Sequence, residues 1–397
     1  MRIGINCLVL GSLPSGVEYY VLGLVQNIIQ LDRQNEYVLF VNPKAGLQER
    51  LAKWNHVTVH NVGLGRAGRV SRIAWEQLQL PSAARSHRLD VLHCPAYVCP
   101  VMKSVPYVVT VHDTLALDHP EWCKRLNAVH YGCVLRRTLA VADRLIVVSR
   151  ASATAVLRHA PHAHRRLDVV YPGVDEIFRS SVPEDAVARV RRTYRLPQRF
   201  ILFVGNIEPR KNLMAMLEAF DSFRRHDHAE YRLVIVGGKS WREGALRRAR
   251  GRQSGGDYVL WVGYVPREDL PALYSAAELF VFPSLYEGFG FPPLEAMACG
   301  VPVVASSRGA LDETLGDAAF RVAPESSDGI AEGMLAVAHD QHLRRRLIDA
   351  GHKRVEGLTW RRAVQRTLRN YRLAHRLRAE GSDRTHCEHG ELVESVL

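Results

Sequence analysis

Two glutamates, Glu287 and Glu295, stand either side of a glycine-rich turn in the segment FPSLYEGFGFPPLEAMACGVP (282–302), which runs straight into a short helix. Carboxylates placed before and after such a turn can flank a bound ligand and accept hydrogen bonds from hydroxyls at both of its ends. Pro292 and Pro293 suit the first helical turn, Glu295 follows within that turn, and Gly300 with Pro302 supply the stop. A helix amino end offers unpaired N–H groups and partial positive charge, and Gly288 and Gly290 let the backbone before it approach a diphosphate closely. The chemistry within reach is recognition of a phosphorylated, hydroxyl-rich ligand. A lone pair of glutamates would as readily be solvated loop charges; the glycine, proline and strand context weighs against that.

Further chemistry-bearing residues fall directly after apolar runs. The run 3–10 leads into Gly11-Ser-Leu-Pro-Ser-Gly16-Val-Glu, where Gly16 permits close approach of backbone to a phosphate or sugar. This is not a Walker loop, since Val17 and Glu18 stand where Lys and Ser or Thr would be needed, and the dinucleotide fingerprint is absent too. The run 107–111 ends on His112 and Asp113, the first a candidate ligand group and the second an orienter of its loop. The run 200–204 leads into Gly205-Asn-Ile-Glu-Pro-Arg210-Lys211-Asn212, in which Arg210 and Lys211 can hold a leaving diphosphate. Asn212 reads as the cap of a helix with apolar positions at Leu213, Met216, Leu217 and Phe220. Gly263-Tyr264-Val265-Pro266 closes a further strand.

These loops require strands to present them. Short apolar runs alternate with helical spacing at 3–10, 37–41, 57–59, 91–93, 107–111 and 145–148, then again at 200–204, 233–236, 258–262, 279–282 and 302–305. That alternation predicts two parallel, doubly wound sheets, with ligands outside the carboxyl ends of the strands. At 397 residues the chain is also longer than one core usually supports. The expected division is a first unit over 1–172, a proline-bearing linker over 173–197 and a second unit over 198–360. An arginine-rich helical stretch follows over 361–379, and a frayed tail covers 380–397.

Composition narrows the class. The chain is 47% hydrophobic and 24% charged, with no apolar run of membrane-spanning length. The start MRIGINCLVLG reads as a buried strand and not a signal peptide, so the cytoplasm is the expected compartment. Seven cysteines without a Cys-x-x-Cys pair suit reduced structural thiols. A net charge of +12 favours phosphorylated ligands, anionic membranes or nucleic acid without choosing among them. Arginines at 247, 248, 250, 252 and 344–346 read as solvated basic faces. The stretch 64–80 mixes Arg66, Arg69 and Arg72 with Val70, Ile73 and Trp75, which suits either an anionic membrane surface or an ordinary amphipathic helix whose apolar side is Ile73, Trp75 and Leu78.

Glu287 and Glu295 with seven residues between them resemble the Glu-x7-Glu motif of family 4 glycosyltransferases, and the resemblance covers most of the chain, densest over 282–313. It implies the GT-B fold: α/β, two Rossmann-like domains facing a central cleft, the acceptor-binding one over 1–172 and the nucleotide-sugar-binding one over 198–360, with the 361–379 helix crossing back to the first. It further implies a retaining hexosyltransferase in which Glu287 contacts the transferred hexose and Glu295 the nucleotide ribose. VVTVHDT (108–114) is similar to the family segment whose histidine lies at the donor sugar, which gives His112 that role. Lys211 falls on the family's lysine; the arginine that many members carry after the strand glycine is replaced by Asn206, and Arg210 stands in for it. Gly16, Gly205, Gly288, Phe289 and Gly290 are expected around the donor, with Tyr264 and Val265 gripping the base. The EPRKN form resembles a bacterial subset rich in mannosyltransferases of surface polysaccharide assembly, implying GDP-mannose as donor and a saccharide or lipid-linked acceptor. These loops hold neither an Asp-x-Asp pair nor a histidine cluster with metal-ligand spacing, which agrees with an enzyme that needs no metal or cofactor, and the pair Glu287 and Glu295 argues against nucleic acid as a partner. A sugar-nucleotide epimerase or hydrolase of the same fold, and a noncatalytic basic binding protein, are the alternatives.

Overall fold

The computed structural model describes residues 1–11, 15–43, 46, 53–64, 68–227, 230–238 and 258–382. Arg66, Cys387, the arginines at 247, 248, 250 and 252, and the expected tail from 383 onward lie outside them. The first half forms a 7-stranded parallel sheet from β1 (Arg2–Asn6), β2 (Glu36–Val41), β3 (Val57–Asn61), β4 (Val91–Cys94), β5 (Tyr107–Val111), β6 (Arg144–Val147) and β7 (Leu167–Val169), in the order β3-β2-β1-β4-β5-β6-β7. The second forms a 6-stranded parallel sheet from β8 (Phe200–Val204), β9 (Arg232–Val236), β10 (Val259–Gly263), β11 (Leu279–Phe282), β12 (Val303–Ser306) and β13 (Ala319–Val322), in the order β10-β9-β8-β11-β12-β13. Helices cover both faces, so β4, β5, β11 and β12 bury every residue, which is why such strands read as largely apolar runs. In each sheet the order reverses next to the first strand, between β1 and β4 and between β8 and β11, and the crevice outside those carboxyl ends is where a ligand fits.

Strands β7 and β13 were not legible as apolar runs. β7 is Leu-Asp-Val with no fully buried residue, and β13 interrupts its apolar pattern with Arg321, whose guanidinium folds back onto the carbonyls of Leu311, Asp312 and Gly316. The stretch between the sheets carries a short 3-10 turn (Glu176–Phe178) and the helix Glu184–Thr193.

The final helix, Trp360–Ser382, runs three residues past the expected start of the frayed tail and packs on the helix Gly16–Leu31 and on β4, β5 and β6. Trp360 lies so close to Gly23 that a Cβ there would sit 2.2 Å from the indole. Tyr371, fully buried, shares a hydrogen bond of 2.7 Å with His93 Nδ1, and His93 Nε2 stands 2.9 Å from Thr110 Oγ1 on β5. The strand that ends in His112 is thereby tied to the last helix of the chain.

Burial pushes His93 down to about 3, so it is neutral in the fold. Once unfolded its ring titrates near 6.5. The unfolded chain therefore binds a proton that the folded one does not, and the stability present above about 6.5 is lost as pH falls from there towards about 3. The slope is at most about 1.4 kcal/mol per pH unit. Thermal midpoints followed by circular dichroism should drop between about pH 7 and about pH 5, and less steeply in His93→Gln; equal slopes in the two proteins would contradict the assignment.

Candidate active site

A cavity of about 480 Å³ opens between the carboxyl ends of the two sheets. Gly16 and His112 line it from the first half; Gly205, Arg210, Lys211, Tyr264, Val265, Glu287, Gly288, Phe289, Gly290 and Glu295 line it from the second. Residues spread from 16 to 295 in sequence are thus brought to one cleft by two switch points that face each other.

Glu287 is held between two cations. Its Oε1 accepts from Lys211 Nζ at 2.5 Å and its Oε2 from Arg210 Nη1 at 2.9 Å, while Arg210 Nε donates to Glu208 at 2.8 Å. Burial alone would raise the Glu287 carboxyl, but the Arg210 and Lys211 cations beside it outweigh that and hold it below the usual range. Lys211 is pushed down by burial and by the neighbouring Arg210, with Glu287 opposing; its ammonium also lies over the Phe282 ring, 4.6 Å from the centroid. Two cations against the carboxylates of Glu287 and Glu208 leave the cluster formally neutral, with the cationic groups of Arg210 and Lys211 both at the wall of the cleft beside the loop 205–212.

Glu295 is held differently. Tyr274 OH donates to its Oε2 at 3.1 Å, and Arg267 Nη1 reaches Oε1 at 3.4 Å while Nη2 contacts Asp175 at 3.2 Å. Burial raises the Glu295 carboxyl against the pull of Arg267 and Tyr274. Arg267 also lies over the rings of Tyr19 and Phe178, at 4.4 and 5.0 Å, so one guanidinium joins the first half, the connecting stretch and Glu295. It follows the 263–266 loop on a 3-10 turn and carried no signal in the sequence beyond being one arginine among many.

His112 Nε2 lies 2.8 Å from the Pro95 carbonyl, which can only accept, so Nε2 carries the hydrogen and Nδ1 is the acceptor. Burial lowers its pKa, the Pro95 bond opposing, and the ring is packed edge-on by Tyr20 and tilted against Tyr97. Asp113 orients its loop, accepting from Tyr97 OH at 2.8 Å and from the Leu115 amide at 3.0 Å.

Three expectations are corrected. A Cβ at Gly288 would stand 2.2 Å from the His112 carbonyl oxygen, so this glycine lets the two halves touch, and Ser152 Oγ, 2.7 Å from that oxygen and 3.2 Å from the Gly288 carbonyl, pins the junction. Gly290, at φ +93°, is the turn that enters the helix Phe291–Ala298; Glu295 is the fifth residue of that helix, beyond its first turn, and Pro292 and Pro293 remove two of the amides that a helix amino end would offer. Asn212 adopts left-handed backbone at φ +58° and makes no side-chain cap; its Nδ2 donates to the Pro324 carbonyl at 2.6 Å.

Comparison with known proteins agrees with this geometry. Residues 14–177 match the family model for Glycosyltransferase Family 4, and residues 188–354 match that for Glycosyl transferases group 1. An O-antigen chain mannosyltransferase B of Escherichia coli is 29% identical over 73% of this chain and 76% of its own length. A D-inositol 3-phosphate glycosyltransferase of Xylanimonas cellulosilytica is 33% identical over 69% of this chain and 68% of its own. Among solved structures, Anabaena Alr3699/HepE in complex with UDP-glucose superposes with a TM-score of 0.71 at 19% identity, covering 96% of this chain and 100% of that one, a likeness of fold. With both halves matched and the two-sheet cleft in place, the chain belongs to the family 4 glycosyltransferases of GT-B fold and is a hexosyltransferase.

Proposed function

We propose that the enzyme moves mannose from GDP-mannose, with retention of configuration, onto a saccharide or lipid-linked saccharide during assembly of a cell-surface polysaccharide. The observation that carries this reading is the cluster in which Arg210 and Lys211 bracket Glu287 at 2.9 and 2.5 Å inside the cleft. Mannose and the polysaccharide context rest on the name of the E. coli relative and on the EPRKN form of the loop.

In this reading a diphosphate enters beside the cations, which stabilise the charge that grows as the bond between the anomeric carbon and the phosphate oxygen breaks. Glu287 and His112 hold the hexose and Glu295 holds the ribose, so most of the rate enhancement comes from orientation and preorganised charge. The acceptor hydroxyl attacks on the face the diphosphate leaves, forming the new bond to the anomeric carbon. Its proton passes to the departing phosphate oxygen. Cationic side chains and loop amides supply the diphosphate contacts in this scheme, and we propose that it runs without a metal ion.

Membrane association is part of the proposal. Trp75 in the helix Arg69–Leu78 packs inward on Phe40 with ring centroids 5.7 Å apart, which leaves Val70 and Leu78 exposed at 71% and 75%. Val129 and Met102 are also exposed, at 68% and 62%. No helix among the described residues is long and apolar enough to cross a membrane. A peripheral seat on the anionic inner face of the plasma membrane fits an apolar surface on a basic protein.

Two measurements test this. Calorimetric titration with a panel of GDP- and UDP-sugars in the presence of EDTA should show saturable binding of GDP-mannose, weakened about tenfold or more in Glu295→Ala by loss of the ribose bond. Absence of binding to every donor would overturn the transferase assignment of this site, and binding only when a divalent cation is restored would overturn metal independence. Sedimentation with vesicles containing phosphatidylglycerol should pull the protein down at low salt, and a Val70→Asp, Leu78→Asp double variant should stay in the supernatant; equal partition of the two proteins would refute the membrane seat.

A further inference from the structure

Beside the main cleft lies a second recess of about 140 Å³, cut into the first half between the helix Arg69–Leu78 and the loops after β1 and β4. It shares Ser15, Val17, Tyr97 and Tyr131 with the wall of the cleft, so the two spaces meet. We infer that this recess receives a sugar ring of the acceptor, with Arg72 and Glu76 as the pair that grips its hydroxyls. The inference rests on the transferase reading above and goes beyond it by placing the acceptor's recognition group.

Arg72 and Glu76 have the i, i+4 spacing of an ordinary helix-surface ion pair. Their setting differs from that. Glu76 is only 8% exposed, and its Oε1 accepts from Asn6 Nδ2 at 3.1 Å. Arg72 Nε stands 3.9 Å from the same oxygen, too far for a hydrogen bond, and is buried with no hydrogen-bond partner among the described residues. A buried donor left unpaired costs on the order of 1–3 kcal/mol, which a purely structural pair would recover by closing up. Here the gap persists at the edge of a space able to hold on the order of five waters, enough for the polar edge of one sugar ring and too little for a second nucleotide.

Arg69, over the Tyr131 ring at 5.2 Å, adds positive charge beside the recess, and the buried carboxylate of Glu76 within it decides the class of ligand. Glu76 cancels the arginine beside it, so the pair offers a donor and an acceptor with no net charge between them. A phosphate would meet the carboxylate as a like charge, whereas adjacent hydroxyls can accept from the guanidinium and donate to the carboxylate. Tyr97 marks the passage between the spaces. Its backbone is held at φ +70°, a conformation costly for a bulky residue, and its ring packs against both His112 and Tyr131. A ring seated at Arg72 and Glu76 would have the donor-side histidine just across that tyrosine.

The test uses the full-length enzyme with GDP-mannose as donor, and methyl α-mannoside and its 1,2- and 1,3-linked dimannosides as acceptors. In Arg72→Met and in the isosteric Glu76→Gln, the acceptor KM should rise on the order of tenfold or more, the loss of one charge-assisted hydrogen bond, with part of it recovered in Arg72→Lys. Calorimetric affinity for GDP-mannose should stay at the wild-type value in all three, which also shows that they fold. Unchanged acceptor KM in both variants, with wild-type transfer intact, would overturn this inference alone. A wild-type enzyme that binds no GDP-mannose, or binds it and glycosylates none of these mannosides, would overturn the reading beneath it, and this inference with it.

Discussion

The site depends on one buried carboxylate. Glu287 lies in the cleft with Arg210 and Lys211 against its two oxygens, and each of the three would be costly to bury alone. Lys211 needs the carboxylate because burial works against its charge, and Glu287 needs the cations for the same reason. The cluster holds the 205–212 loop against the 283–290 loop, a contact strengthened by the Leu285 amide, which donates to the Arg210 carbonyl at 2.7 Å. Its two cations are fixed in place by Glu287 and Glu208 before any ligand arrives, the condition under which charge stabilises a transition state without reorganisation.

The same economy governs the junction of the two halves. Gly288 meets the His112 carbonyl where no side chain would fit, Ser152 spans both, and Glu313 accepts from the Arg150 amide at 2.6 Å at the start of the helix Arg150–His159. Arg267 links Tyr19, Asp175 and Glu295. Apart from the Glu313–Arg150 and Arg267–Asp175 bonds, each of these contacts touches a residue that lines the cleft, so a ligand there would bear directly on the contacts that join the halves. Domain closure around a ligand is the motion such a junction permits.

Much of this was legible in the sequence, and the reasons differ by residue. The buried parallel strands announced themselves as apolar runs because both faces are covered, and Gly290, Pro292 and Pro293 marked a helix start through backbone constraints that are local. Glycine, proline and a carboxylate at fixed spacing survive translation from sequence to structure. What failed was whatever depended on a distant partner. Gly288 lines the cleft, but the room its missing side chain leaves is taken by a carbonyl from 176 positions earlier in the chain. Asn212 looked like a cap and serves instead to anchor its turn to Pro324. Arg267 and Arg72 were hidden among many arginines, since nothing local separates a buried guanidinium from a solvated one. β7 and β13 were too short or too mixed to show a period.

The central claim is that Arg210 and Lys211 are held in place to take a nucleoside diphosphate. The most direct measurement compares calorimetric affinities for GDP and GMP in the wild-type enzyme and in Lys211→Met. Recognition through the second phosphate predicts that GDP binds on the order of a hundredfold more tightly than GMP, and that the variant loses most of that ratio while its GMP affinity stays put. Equal affinities for GDP and GMP in the wild type, or a ratio unmoved by the substitution, would contradict the account.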